Sequence, residues 1–131
     1  MSTGEHPRSG RQMNGQLQSF DLEAEVSRLR AEKEWQEGRR NAITLRKGGG
    51  LSVVLMVMKA GDRLDEHSAP GPISLSVREG RIHFTAADEI VEAGTEVVLT
   101  CDAGVSHSVE AVSDAVCLLH VTAGDLARGS G

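Results

Sequence analysis

The sequence predicts an all-β fold, a sandwich or barrel entered through a single N-terminal helix. Three observations predict it. From residue 39 onward, short segments rich in Val, Ile, Leu and Thr recur at roughly even spacing, separated by Gly, Pro and Asp. In one of them Ile73, Leu75 and Val77 alternate with Ser74, Ser76 and Arg78, the period of a strand with one buried face. A helical period appears in one place only, where Leu22, Val26 and Leu29 fall at i, i+4 and i+7.

Taken in order, residues 1–18 are polar and without period, which assigns them to a disordered arm. Residues 19–38 form one amphipathic helix with Ser19 as its N-cap and with Glu23, Glu25, Arg28, Arg30, Glu32 and Lys33 on its polar face. Such a helix needs something to lie on; the barrel wall or a partner subunit would serve, with Trp35 as an anchor. Residues 39–123 form the barrel, with strands at 41–45, 51–58, 73–77, 81–85, 89–91, 97–100, 107–111 and 115–121. The Gly48-Gly49-Gly50 triplet is a hairpin connection. It lacks the Lys-Ser/Thr of a phosphate-binding loop and precedes a strand, not a helix. Residues 124–131 are a small, polar, fraying tail. There is no second domain and no internal repeat.

Composition excludes several functions. Aromatic residues make up 2% of the 131-residue chain, with no Tyr, too few for stacking platforms that hold unpaired bases. Residues 51–131 carry 5 Lys/Arg against 12 Asp/Glu, so the barrel would repel a polyanion. No segment approaches the roughly 18 consecutive apolar residues of a membrane span, and the first thirty residues lack a signal peptide's apolar stretch. A cytoplasmic protein without nucleic-acid or membrane partners is expected. Cys101 and Cys117 have no CxxC spacing and read as reduced thiols in strands.

The chemistry-bearing residues lie in two spaced segments. The first has Gly61, then His67 after five residues, then Ala69, Ile73 and Gly80. The second reads Asp102-Ala-Gly104-Val-Ser-His107. Two histidines on inward positions of neighbouring strands could grip one ion, and His67 is followed by a rigid Pro70-Gly71-Pro72 loop that would hold it in place.

From Gly61 to Val121 this arrangement resembles the cupin superfamily, and within it the small single-domain bacterial cupins. The first cupin motif runs Gly, five residues, His-x-His, three or four residues, Glu, six residues, Gly. Gly61, His67 and Gly80 match it, but Ala69 stands at the second His and Ile73 at the Glu. The second motif ends Pro-x-Gly-x-x-His; Gly104 and His107 match, Asp102 stands at the Pro, and Gly94 lies two residues upstream of the usual opening Gly. The resemblance implies a jelly-roll barrel, a homodimer, and a metal-ligand set degenerate at two positions.

Two imidazoles do not complete a tetrahedral or octahedral sphere. Ile73 replaces an anionic ligand by a branched apolar side chain, Leu75 and Val77 continue that face, and Ala69 removes bulk. These changes predict a lumen roomier and more apolar than a metal-binding cupin's, suited to a small organic ligand. His67 and His107 would bind its polar end, a carboxylate or hydroxyl, and Ala69, Ile73, Leu75 and Val77 would line the pocket. No cofactor is assigned with certainty.

A metal-dependent cupin enzyme of dioxygenase or isomerase type is the alternative. It would use iron, zinc, nickel or manganese on His67 and His107, with His120 as a third imidazole if it points inward. Without a metal, either His could still act as a general base. A third reading is a structural or regulatory dimeric module with a vestigial pocket. Whether the chain is an enzyme stays open at this level. His120 otherwise reads as a surface residue, His83 as solvent-facing, Glu110 as facing away from His107, and Met56 and Met58 as core.

Overall fold

The computed structural model describes residues 15–123; most of the expected arm and the whole of the expected tail lie outside the described residues. Two short helices, α1 (Leu22–Ala31) and α2 (Lys33–Gln36), precede nine strands. The strands are β1 (Arg40–Arg46), β2 (Leu51–Met58), β3 (Arg63–His67), β4 (Ile73–Glu79), β5 (Ile82–Ala86), β6 (Glu89–Ala93), β7 (Val98–Cys101), β8 (His107–Ala111) and β9 (Ala115–Thr122). They pair antiparallel in a five-stranded sheet, β1-β2-β9-β4-β7, and a four-stranded sheet, β3-β8-β5-β6. This is the double-sheet solution to burying strands that alternate apolar and polar faces.

Strand alternation sorts the side chains into two clusters. Met56, Met58, Ile73, Leu75, Val77, Ile82, Phe84, Cys117 and their neighbours fill the space between the sheets. The opposite faces of β1, β2 and β9 contribute Leu45, Leu55, Val57 and Val116, and α1 covers these with Leu29, Val26 and Leu22. The 51–58 run is continuously apolar for this reason: both faces of β2 are covered, one by the lumen and one by the helix. The barrel wall of the same chain thus supplies the support that the helix needs, and Trp35 joins that cluster with Lys59 Nζ 5.0 Å and Arg30 Cζ 5.6 Å from its ring centre.

Two expectations about this region are corrected. The single helix over 19–38 breaks at Glu32, whose backbone is extended. Asn41 of β1 causes the break to hold: its side-chain amide donates to Leu29 O and to Glu32 Oε1, both at 2.9 Å, satisfying a carbonyl at the end of α1 from outside the helix. The N-cap is Asp21, not Ser19; its carboxylate accepts from Ala24 N at 3.0 Å. The second correction is β3, which is absent from the expected strands. Its burial is low and only Leu64 is apolar, so no period-two signal exists; it is a charged edge strand held by β8.

The turns follow from backbone sterics. Gly48, Gly49 and Gly50 all have positive φ (115, 65 and 82°) in the β1–β2 connection. At Gly80 (φ 84°), between β4 and β5, a Cβ would strike the carbonyl of Asp114. The end of the barrel farthest from His67 is pinned by Asp62, 5% exposed, whose carboxylate accepts two hydrogen bonds from Arg40 Nη1 at 2.7 and 2.8 Å. Its backbone carbonyl accepts from Ala111 N, tying the start of β3 to the end of β8.

Leu29, 2% exposed at the centre of the helix–sheet cluster, should be costly to truncate. Leu29→Ala is expected to lower unfolding free energy by about 2–4 kcal/mol in urea titrations, while Leu17→Ala, at 90% exposed, should change it by less than about 0.5 kcal/mol.

Candidate functional site

His67 ends β3 and His107 begins β8, and the register sets them opposite each other. A bulge makes this pairing. Leu64 faces Val109, but three residues further along β3 meet two residues along β8, so one extra residue is inserted between Leu64 and His67. By strict alternation from inward-facing Leu64, His67 would point outward; the extra residue re-aims it toward His107. The two rings lie 4.4 Å apart, edge to face at 63°.

Each ring is oriented by its own backbone. His67 Nδ1 is 3.1 Å from Asp65 O, and His107 Nδ1 is 3.1 Å from Val105 O. A carbonyl can only accept, so Nδ1 carries the proton in both and each neutral imidazole presents Nε2 as its lone-pair nitrogen. His67 is exposed. His107 is 5% exposed, stacked on Phe84 at 5.5 Å, and its Nε2 has no hydrogen-bond partner among the described residues.

Adjoining His107, which does not itself line it, is a cavity of about 310 Å³, walled by Phe84, Ala86, Val91, Leu99, Cys101 and Val105, with Thr100 and the exposed residues Glu89 and Asp102 also on its lining. It opens between edge strands β6 and β7, where the two sheets are not joined. Three contacts bind His107 to this wall: the Phe84 stack, the Val105 carbonyl, and the register pairing of Ala86 with His107.

The other expected pocket residues have different places. Ala69 packs at the margin of the inner cluster, and its carbonyl accepts from Gly104 N at 2.9 Å, so the two motif segments are stitched together by backbone. Ile73, Leu75 and Val77 face inward but are 5%, 2% and 3% exposed within the packed core. The roomier lumen expected from Ile73 and Ala69 is not found at those positions: Ile73 lies in the packed inner cluster beside Cys101 and Val121, and the open space lies nearer the β6–β7 edge. Strand alternation could not reveal this, because it gives a residue's face and not how far its neighbours fill the space.

His120 takes the outward of its two expected directions. Lumen positions of β9 are Ala115, Cys117, Leu119 and Val121, so His120 lies on the opposite face and its Nδ1 is 3.3 Å from Ser74 Oγ. It cannot be a third imidazole for this site. His83 faces outward as well, its Nε2 3.5 Å from Glu92. The Arg81 guanidinium, hydrogen-bonded to Glu92, holds that carboxyl below its ordinary range. Glu110 pairs across the sheet with Arg63 on the outer face.

The residues present do not fit the metal centre that the cupin resemblance implies. A methyl group and a branched hydrocarbon stand where a second imidazole and a carboxylate would be, and no group of three His, Cys, Asp or Glu side chains able to hold a metal ion occurs among the described residues. The residues that sequence reasoning missed are those of the cavity wall. Phe84, one of two Phe in the chain, was the available signal.

The two packed antiparallel sheets define a jelly-roll barrel, with the histidine pair at one mouth. No family model matches the sequence, and no curated protein matches it. Solved structures do. A cupin superfamily protein from Desulfitobacterium hafniense shares 17% identity over 64% of this chain and 77% of that one, with a TM-score of 0.62. A cupin 2 conserved barrel domain protein from Leptotrichia buccalis shares 25% identity over 76% of this chain and 45% of that one (TM-score 0.64). The salicylate 1,2-dioxygenase of Pseudoaminobacter salicylatoxidans, solved as adducts with gentisate, matches 98% of this chain at 16% identity and a TM-score of 0.75, but this chain spans only 40% of it. The chain has the cupin fold.

Burial pushes the Cys117 thiol up from 9.0 to about 12. Because the unfolded chain releases this proton near pH 9 and the folded chain keeps it, stability from this group is complete below pH 9 and is lost as pH rises toward 12. Between those limits the loss approaches about 1.4 kcal/mol per pH unit. Urea unfolding of the wild type and Cys117→Ala across this range should show a slope steeper in the wild type.

Proposed function

We propose that the chain is a small-molecule-binding cupin whose ligand sits at the barrel mouth, between the His67–His107 pair and the adjoining cavity. The observation that carries this reading is His107. A ring that is 5% exposed, with Nδ1 already bonded and Nε2 without a protein partner among the described residues, is costly unless something else bonds to it. A ligand N–H or O–H donated to that nitrogen would relieve the cost. Phe84, Leu99, Val91 and Val105 would hold the apolar part of the same molecule. Ile73, Leu75 and Val77 act behind this wall as rigid packing. Two copies of the chain and a cytoplasmic setting belong to the same proposal.

One observation favours a second reading, a divalent iron, zinc, nickel or manganese ion used in enzyme chemistry. Metal-bound histidines commonly have their other nitrogen tied to a carbonyl, and both His67 and His107 do. Against it stand the two missing donors.

Elemental analysis of the purified protein separates the two. The organic-ligand reading expects no stoichiometric metal; metal present one-to-one and lost in a His67→Ala, His107→Ala variant would overturn it. A thermal-shift screen against a broad metabolite set should find compounds that raise Tm by mass action, an effect removed by His107→Ala. A complete absence of His107-dependent shifts would count against the reading.

A further inference from the structure

The edge at which the cavity opens is fitted to a second copy of the chain. We infer that β7 pairs antiparallel with the partner's β7, carrying the five-stranded sheet across a two-fold axis and setting a partner strand against the cavity. This rests on the chain acting as two copies, and it goes further by naming the surface and what it adds to the site. Edge strands are shielded from such pairing by charge, by proline or by shortness. Three of the four edges are charged: β1 carries Arg40 and Arg46, β3 carries Arg63, Asp65 and Glu66, and β6 carries Glu89 and Glu92. β7 carries no charge and has only its length of four residues as protection. It pairs with β4 on one side, and no other strand among the described residues pairs with it.

Two further observations fall on the same edge. Val98 on β7 and Ile90 on β6 are 68% and 70% exposed, the most exposed large apolar side chains in the described strands. The apolar wall of Phe84, Val91, Leu99 and Val105 also opens between these two strands. Exposed apolar side chains beside an unpaired strand edge are the features that strand addition uses. The charges allow the partner to be a copy. Residues directly opposite in an antiparallel pair share a face, so a two-fold axis at Thr100 sets Leu99 opposite the partner's Cys101. Glu96 then meets the partner's Gly104, and Asp102 meets the partner's Val98, so no carboxylates oppose each other. The same operation at Ile43 of β1 would set Arg40 against the partner's Arg46. Leu99 and Cys101 already line the cavity from β7. On the added strand, the partner's Leu99 and the partner's Cys101 continue that wall across the opening, which one copy leaves unfinished.

So short a pairing buries an area at the low end of specific interfaces, which sets the expected Kd at about 10–100 µM. Sedimentation equilibrium of the full chain between about 5 and about 500 µM tests the inference, and the wild type should pass from monomer to dimer across that range. Thr100 is exposed and lies on the axis, so Thr100→Lys or Thr100→Glu sets like charges face to face and should weaken dimerisation at least about tenfold. An equimolar mixture of the two variants opposes Lys to Glu and should restore the dimer, which misfolded variants could not do. Thr44→Lys, exposed on the opposite edge strand β1, should leave the dimer intact. A dimer indifferent to Thr100→Lys, or a mixture no better than its components, would overturn the β7 surface while the two-copy reading stands. A wild type that stays monomeric throughout would overturn both and leave ligand binding at the mouth to its own thermal-shift test.

Discussion

The pairing of β2 with β9 carries the rest of the structure. The two strands match over their whole length, from Leu51 against Thr122 to Met58 against Ala115, and both lie inside the five-stranded sheet. Each sends one set of side chains into the lumen, including Met56, Met58 and Cys117, and the other set under α1, including Leu55, Val57 and Val116. Two hydrophobic clusters thus share one pair of strands. A one-residue slip in this register would exchange the two faces and spoil both clusters at once, so the register is set by burial on both sides. β4 then adds to the free edge of β9, and β7 to β4, which brings Ile73 beside both Cys101 and Val121.

The four-stranded sheet is held to this frame differently at its two ends. At one end Asp62 is gripped by Arg40 from β1, while backbone bonds between residues 61–62 and Ala111 hold β3 to β8. A buried carboxylate with two short bonds to a guanidinium fixes position even where its net contribution to stability is small. At the other end the sheets are less closely joined, and the cavity opens between β6 and β7. Packing is tight where the barrel is locked and open at the β6–β7 edge.

The site itself depends on a local irregularity. Regular alternation along β3 would have turned His67 away from His107; the bulge after Leu64 brings the two rings together. The Ala69 carbonyl bonded to Gly104 N then brings the two motif segments within one backbone hydrogen bond of each other. With Ala69 and Ile73 in place of a second imidazole and a carboxylate, the same scaffold presents a lone buried acceptor, His107 Nε2, next to an apolar wall.

Much of this was legible from residue order. Alternation at Ile73–Val77 gave the inward face of β4, the continuous run at 51–58 marked a strand covered twice, and the spacing from Gly61 to Gly80 and from Gly104 to His107 placed the two histidines in one site. These are local signals, carried by which residues stand two, three or six positions apart. What only the tertiary structure decided is long-range. Asn41 ends α1 early through a contact from another element, β3 is a strand because β8 pairs with it, and the bulge sets the aim of His67. His120 faces outward because β9 packs its odd-numbered positions into the lumen, and the cavity falls beside Phe84 at the β6–β7 edge, whereas Ile73 lies buried beside Cys101 and Val121. A sequence records a residue's face through its period, but the volume left in front of that face is the sum of side chains from several strands, and only their assembly determines it.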